Sequence, residues 1–171
     1  MTGVEILIIG GGIAGASTAW HLATRGHQVT LLERGEIASE ASGVNAGSIT
    51  SLGWGHDPDL QSYLTAGSAE IFKHDPAGIE VNRAHAAEVL PFLRRVPVAR
   101  TWAGLMPFSL DGKPIIGRLA GHASAWIVSG LASSGFGRGP MAGKLLAEYI
   151  HTGHRPHVLA EADPARFASV R

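Results

Sequence analysis

The sequence predicts an α/β domain that opens with a βαβ unit and continues into a mainly parallel sheet. Three observations predict this opening. Val4 to Ile9 is a short, β-branched apolar run, which is typical of a strand buried on both faces. From Ile13 to Arg25, apolar residues recur at steps of three and four, which is the period of a helix. Gln28 to Glu33 is a second β-like run, so the chain begins as strand, helix and strand.

Length and composition narrow the class of protein. The chain has 171 residues, the size of one domain with its own core. It carries 14 Lys and Arg against 14 Asp and Glu, so no basic surface for nucleic acid is expected. The absence of Cys excludes disulfides, thiolate catalysis and cysteine-based zinc sites. Because no run approaches the roughly 20 apolar residues of a membrane span and no leader pattern is seen, we expect a cytoplasmic protein.

The middle of the chain is predicted to be mostly loop and helix. Residues 34–55 are rich in Gly, Ser, Ala and Asn, which favours a loop. A helix is predicted from Asp57 to about Lys73, and Asp75 to Gly78 is the clearest break. A short helix should follow from Ala84 to Leu93, which Pro91 would kink or end.

The later part of the chain is predicted to form short strands and a last helix. Val98 to Met106, Pro114 to Ile116 and Ala125 to Ser129 are the predicted strands, with a turn at Asp111-Gly112. A helix over Pro140 to Ile150 should end at Thr152-Gly153. We therefore expect one domain built from two halves, about residues 1–75 and 80–155, followed by a polar C-terminal tail.

The glycines after the first run have the spacing of a dinucleotide-binding turn, Gly10-x-Gly12-x-x-Gly15. The first glycine permits the tight turn, the second lets a pyrophosphate approach the backbone, and the third lets the helix pack closely. Glu33 follows Gly15 by 18 residues, where a carboxylate can accept hydrogen bonds from ribose hydroxyls. These residues predict an ADP-containing dinucleotide, either FAD or NAD. The alternative is a structural glycine turn with Glu33 on the surface.

Three further segments carry a family resemblance. The first is Glu33-Arg34 followed by Ala41 to Gly47, the second is Trp102 to Pro107 with Asp111 to Gly117, and the third is Gly130 to Pro140. In order and in small-residue content they resemble motifs of the FAD-dependent amine and D-amino-acid oxidase family, which includes glycine/sarcosine oxidases and D-amino-acid dehydrogenases. Residues 57–97 match poorly.

The resemblance implies a Rossmann-like FAD-binding domain whose substrate domain is truncated or absent. It also implies an oxidoreductase that oxidises a C–N bond of an amine or amino acid by hydride transfer to the flavin. We expect non-covalent FAD, because the chain has no Cys and no His between His27 and His56. The FAD-binding residues that it implies are Gly10, Gly12, Ile13, Ala14, Gly15, Glu33, Arg34, Ser42, Asn45, Ala46, Gly47, Gly104, Gly135, Phe136 and Gly137.

The third segment also has a physical rationale. Reduced flavin carries negative charge around N1 and the C2 carbonyl, which a helix N-terminus and glycine-loop N–H groups would stabilise. Gly135, Phe136 and Gly137 are predicted to form that loop, with Gly139 and Pro140 opening the helix. The alternative is an ordinary glycine-rich loop before a helix.

Several features depart from the family or leave alternatives open. Ser109-Leu110 stands where the family usually has Thr-Pro, and Arg138 where it tends to be apolar. The Tyr and Arg that would hold a substrate carboxylate are not found in a matching motif, so no catalytic residue is assigned. We expect no metal site, since Gly153 and Pro156 interrupt the spaced histidines of the tail. An exposed flavin face would imply a homo-oligomer, a partner subunit or an unstable protein. The alternatives are a non-catalytic flavin-binding subunit and an NAD-dependent dehydrogenase.

Overall fold

The structure is a computed structural model that describes residues 5–45, 76–101 and 106–168. Its helices and strands in these ranges are β1 (Ile6–Ile9), α1 (Ile13–Ala23), β2 (Val29–Leu32), α2 (Pro76–Val89), β3 (Ile115–Arg118), β4 (Trp126–Ser129) and α3 (Gly135–Thr152). Short 3-10 helices cover Pro91–Arg95, Ala132–Ser134, His157–Ala162 and Pro164–Phe167. None of the described helices is long and apolar enough to cross a membrane.

The βαβ opening is confirmed. Strands β1 and β2 pair in parallel, with Ile6 opposite Val29 and Ile9 opposite Leu32. Helix α1 connects them and packs on one face of the pair. Gly26 has φ +84° and donates its N–H to the carbonyl of Ala23, which turns the chain from the helix toward β2. Glycine adopts this left-handed conformation without steric cost.

The second sheet differs from the expectation. Strands β3 and β4 pair antiparallel, with Ile115 opposite Ser129. In the described residues the two pairs are separate two-stranded sheets, so a mainly parallel sheet is not confirmed. The predicted turn before β3 is present, because Gly112 has φ +68° and donates its N–H to the carbonyl of Ser109.

Two predictions for the middle of the chain are wrong. Pro76 to Gly78, which were predicted to be part of a break, form the first turn of α2. This helix therefore begins at Pro76, whereas the sequence predicted a helix from Ala84. Proline is well suited to a first helical turn, where no N–H is needed, so Pro and Gly gave an ambiguous signal. The predicted strand Val98 to Met106 is absent from its described residues, 98–101 and 106. The predicted helix from Asp57 to Lys73 lies outside the described residues.

The first and last helices of the described chain pack directly against each other. A Cβ atom on Gly143 would lie 2.7 Å from the carbonyl oxygen of Ala14 and 2.7 Å from Cβ of Ser17. One helical turn earlier, a Cβ on Gly139 would lie 2.4 Å from Cγ2 of Ile13. These glycines therefore allow a close approach between α1 and α3 that a larger residue would prevent.

The core lies between α3, the second sheet and the end of the chain. Its buried members are Ile116, Leu131, Ala142, Leu146, Leu159 and Ala162. Leu159 and Ala162 belong to the segment that we expected to be a polar tail. The two 3-10 helices of this segment instead pack on β3 and cover it. Helix α3 ends as predicted, at Thr152, with Gly153 at φ +72°.

Candidate functional site

The glycine turn joins β1 to α1 in the manner that its spacing predicts. Gly10 follows the strand with φ +107°, a conformation that favours glycine. A Cβ on Gly15 would lie 2.0 Å from the carbonyl oxygen of Gly10, so this position cannot hold a larger residue without moving the turn. The N–H of Ala16 donates to the carbonyl of Gly12 and closes the first turn of the helix. The N-terminus of α1 is thereby placed directly after the strand.

The first N–H groups of α1 are arranged for an anion. The Oγ of Ser42 accepts a hydrogen bond of 2.9 Å from the N–H of Ile13. Within the described ranges, no acceptor outside the helix is found for the N–H groups of Ala14 and Gly15. Unpaired N–H groups and the positive end of the helix dipole both favour a bound phosphate at this position.

Glu33 supports the turn from the end of β2. Its Oε2 accepts a hydrogen bond of 2.7 Å from the N–H of Gly11, and its Oε1 accepts one of 3.0 Å from the N–H of Gly35. These two backbone donors, chiefly that of Gly11, hold the pKa of Glu33 below its usual value. An ionised carboxylate has about four acceptor positions, so it can still accept bonds from ribose hydroxyls. Sequence reasoning predicted the contact to ribose and missed the support of Gly11.

One open cleft lies between the N-terminal βαβ unit and the second half of the described chain. It has a volume of about 1440 Å³ and is lined by the glycine turn, by residues of β1 and by Ser42 and Asn45. On its other side lie Met106, Pro107, residues 130–133 and the first turn of α3. Ligand pockets commonly measure roughly 300–1,000 Å³, so this cleft has room for an extended ligand.

The structure brings nine of the predicted site residues to this cleft. They are Gly10, Gly12, Ile13, Ala14, Gly15, Ser42, Asn45, Gly135 and Phe136. Glu33 contacts the turn without lining the cleft. Ala46, Gly47 and Gly104 lie outside the described residues.

In the described part of the chain, two predicted residues besides Glu33 do not line the cleft. Arg34 forms an ion pair of 2.8 Å with Glu40, and its side chain is 82% exposed. That carboxylate raises the pKa of the Arg34 guanidinium. Gly137 is also exposed and is absent from the cleft wall.

The loop predicted over Gly135 to Gly137 is helical, which corrects the expected start of the last helix. The 3-10 turn Ala132–Ser134 runs directly into α3, and Gly135 already has φ −56°. Pro140 consequently lies inside the helix rather than in its first turn. The N-terminus of α3 nevertheless borders the cleft through Gly135 and Phe136.

Sequence reasoning singled out none of the remaining residues on this side of the cleft. Met106, Pro107, Leu131 and Ala132 line it, and the N–H of Ala132 donates to the carbonyl of Pro107 over 3.0 Å. All four fall inside the segments that carried the family resemblance. Within the second and third of those segments, sequence reasoning assigned FAD contacts only to Gly104, Gly135, Phe136 and Gly137, so the four lining residues were not identified.

Comparisons with known proteins match most of the chain. A family model described as FAD dependent oxidoreductase matches residues 5–74 and 55–149. D-amino acid dehydrogenase of Neisseria meningitidis serogroup C is 46% identical over 48 residues, which are 28% of this chain and 12% of that protein. Glycine oxidase of Pseudomonas putida is 36% identical over 90 residues, 53% of this chain and 23% of that protein. The alignments thus span less than a quarter of the length of these relatives.

Proposed function

The chain belongs to the FAD dependent oxidoreductase family, and from this premise we propose that it binds FAD non-covalently in the cleft. We further propose that it contributes to oxidation of a C–N bond in an amine or amino acid. The observation that carries the proposal is that the N-terminal glycine turn and the first turn of α3 line the same cleft. A dinucleotide needs a diphosphate site and a flavin site within reach of each other, and we propose that these two elements would provide them.

The glycine turn would hold the ADP half. The N–H groups of Ala14 and Gly15 and the positive end of α1 would contact the diphosphate. Gly12 would let the diphosphate approach, since among the described residues a Cβ placed there meets only Oγ of Ser42, at 3.2 Å. The ionised carboxylate of Glu33 would accept hydrogen bonds from the ribose and would repel a 2′-phosphate.

The second half of the chain would border the flavin. When bound, FAD supplies a two-electron acceptor for hydride from the substrate. The N-terminus of α3 would stabilise the negative charge of the reduced ring. Met106, Leu131 and Phe136 present apolar surface to the cleft and would exclude water from one side of the ring.

Substrate binding would depend on residues outside the described wall. In the described ranges, neither Arg nor Tyr lines the cleft, so no side chain is assigned to a substrate carboxylate. We therefore propose that a second copy or a partner subunit completes the site. The same observation favours one second candidate function, a flavin-binding subunit without catalytic activity of its own. The family match favours FAD over the NAD alternative.

A two-part experiment tests the proposal. The purified protein should be yellow and should release FAD on denaturation. Gly12→Val should weaken FAD binding by at least about tenfold, because branched atoms would occupy the diphosphate position. Gly35→Ala is the matched control, since a Cβ there is in ordinary van der Waals contact with Oγ of Ser39, at 3.5 Å. Wild-type protein that binds no FAD would overturn the proposal.

The second part separates the two candidate functions. The FAD-loaded protein is mixed anaerobically with glycine, sarcosine, proline or D-alanine, and absorbance of the oxidised flavin is followed. Bleaching by one of these supports the oxidoreductase. No bleaching by any of them, with FAD bound, favours the non-catalytic subunit.

A further inference from the structure

The turn before β3 is a closed network of hydrogen bonds. The hydroxyl of Ser109 has a single hydrogen, which is shared between two acceptors, Oδ1 of Asp111 at 3.0 Å and the carbonyl of Lys113 at 2.6 Å. The N–H of Lys113 donates to the same Oδ1 at 3.1 Å. Ser109 is buried, so its bonds are shielded from water. We call residues 109–113 the aspartate turn.

Arg166, from the end of the described chain, clamps the aspartate turn. Its Nε donates to Oδ2 of Asp111 at 2.6 Å, and its Nη2 donates to Oδ1 at 3.1 Å. The same Nη2 donates to the carbonyl of Lys113 at 2.9 Å. The guanidinium also lies 4.2 Å from the ring centroid of Phe167. A planar fork suits this bidentate contact, which a lysine cannot reproduce.

The other side of the aspartate turn contacts the cleft wall. A Cβ on Gly130 would lie 3.5 Å from Cβ of Ser109, so the buried serine packs against this glycine. Pro107 lies two residues before Ser109, and its carbonyl accepts a hydrogen bond from the N–H of Ala132. Ala132 has φ +55°, a left-handed conformation that alanine rarely adopts and that its surroundings must impose. Gly130, Pro107 and Ala132 all line the cleft.

We propose that Arg166 is a positioning residue for FAD: through the aspartate turn it fixes the wall of the cleft that borders the flavin ring. This inference rests on the proposed function. Arg166 itself does not line the cleft in the described structure. Its effect should therefore fall on the flavin half of the cofactor and leave the ADP half, held by the glycine turn, unchanged.

Affinities for FAD and for ADP distinguish these two halves. We would titrate both ligands into wild type, Arg166→Ala, Arg166→Lys and Arg155→Ala, and record the visible spectrum of bound flavin. Arg155 is the matched control, because it is also in the C-terminal segment and pairs with Asp163 rather than with the aspartate turn. Arg166→Ala should lower the affinity for FAD about tenfold and shift the flavin spectrum. The affinity for ADP should stay within about twofold of wild type. Arg166→Lys should be intermediate, and Arg155→Ala should match wild type.

Each other outcome counts against the inference. If Arg166→Ala lowers the affinities for FAD and ADP equally, the variant has lost structure generally. If its affinity for FAD is unchanged, Arg166 is not coupled to the cleft wall. Thermal unfolding followed by circular dichroism shows whether each variant is folded. If Arg166→Ala does not fold, Arg166→Lys decides, and an unchanged ratio of FAD to ADP affinity overturns the inference. If wild type binds FAD no better than ADP, the proposed flavin site fails first, before Arg166 is considered.

Discussion

The two sheets in the described part of the chain are covered very differently. In the first sheet, β1 and β2 pack on α1 with one face, while Leu7, Ile9 and Leu32 remain exposed on the other, Ile9 by 83%. In the second sheet, Ile116 is only 5% exposed, because α3 and the C-terminal 3-10 helices cover β3. Among the described residues of β1, α1 and β2, the buried side chains are Thr18 and Leu22, so this part has a small core. Its position depends on the contact of α1 with α3.

This difference suggests separate roles for two regions. The first region comprises β1, α1 and β2, and the second comprises the second sheet, α3 and the C-terminal 3-10 helices. The first supplies the backbone N–H groups and the carboxylate of the predicted ADP site. The second supplies most of the buried apolar side chains, including Leu146 and Leu159. Burial of apolar side chains is the main favourable contribution to folding, so stability should depend mostly on the second region.

The largest expected effect comes from the same substitution placed in each sheet. Ile116→Ala should lower the free energy of unfolding by about 3 kcal/mol, because it leaves a cavity in the core. Ile9→Ala should lower it by less than about 0.5 kcal/mol, because most of that side chain is already in water. Urea denaturation of both variants measures the contrast. Equal losses would show that the exposed face of the first sheet is covered in solution, and a concentration-dependent midpoint would identify a second copy as the cover.

A smaller effect should follow from forcing the two regions apart. Gly143→Val places branched atoms against the carbonyl of Ala14 and against Ser17. We expect it to lower the free energy of unfolding by about 2 kcal/mol. ADP affinity should fall with it, since α1 carries the glycine turn. Gly35→Ala, in an exposed loop, serves as the control and should change neither quantity. Unchanged ADP binding by Gly143→Val would mean that the first region keeps its structure without α3.

The smallest effect concerns acid stability of the second region. The Arg166 guanidinium beside Asp111 holds the pKa of that carboxyl well below its usual range. The carboxyl of an unfolded Asp has a pKa of about 3.9. As the pH falls, the unfolded state therefore binds this proton at a higher pH than the folded state does. This contribution is complete above about pH 4 and is lost as the pH decreases further.

The variant Asp111→Asn tests that sign. It should lower the free energy of unfolding by about 1 kcal/mol at pH 7. It should also make stability less dependent on pH below about pH 4. Denaturant midpoints of both proteins between pH 2 and pH 7 provide the measurement. If the two proteins lose stability in parallel on acidification, Asp111 does not carry this dependence.

Local rules account for the parts of the fold that were predicted. The βαβ opening and the end of α3 at Gly153 follow from glycine spacing and from residue periodicity. The start of α2 was missed, because Pro76 and Gly78 occur both in turns and in first helical turns. The packing of the C-terminal segment was missed as well. Its 3-10 helices have no extended apolar period, and the burial of Leu159 depends on contacts with distant residues.

The residues of the candidate site fall into the same two groups, those placed by local structure and those placed by contacts between distant residues. Gly10, Gly12 and Gly15 lie at the cleft as their spacing predicts, since a turn is a local structure. The bond from Gly11 to Glu33 joins residues 22 positions apart, and Arg166 lies 55 positions from Asp111. No pattern in a single sequence indicates such pairs. Their identification required the structure.

The hydrogen bond from Oγ of Ser17 to the carbonyl of Pro140 spans 123 positions of the chain, so the contact between α1 and α3 closes a very long loop. The entropy of loop closure grows only with the logarithm of length, and each doubling costs about 0.6 kcal/mol. A large insertion between these helices would therefore weaken their contact very little. The length of the segment between α1 and α3 therefore sets little limit on their pairing.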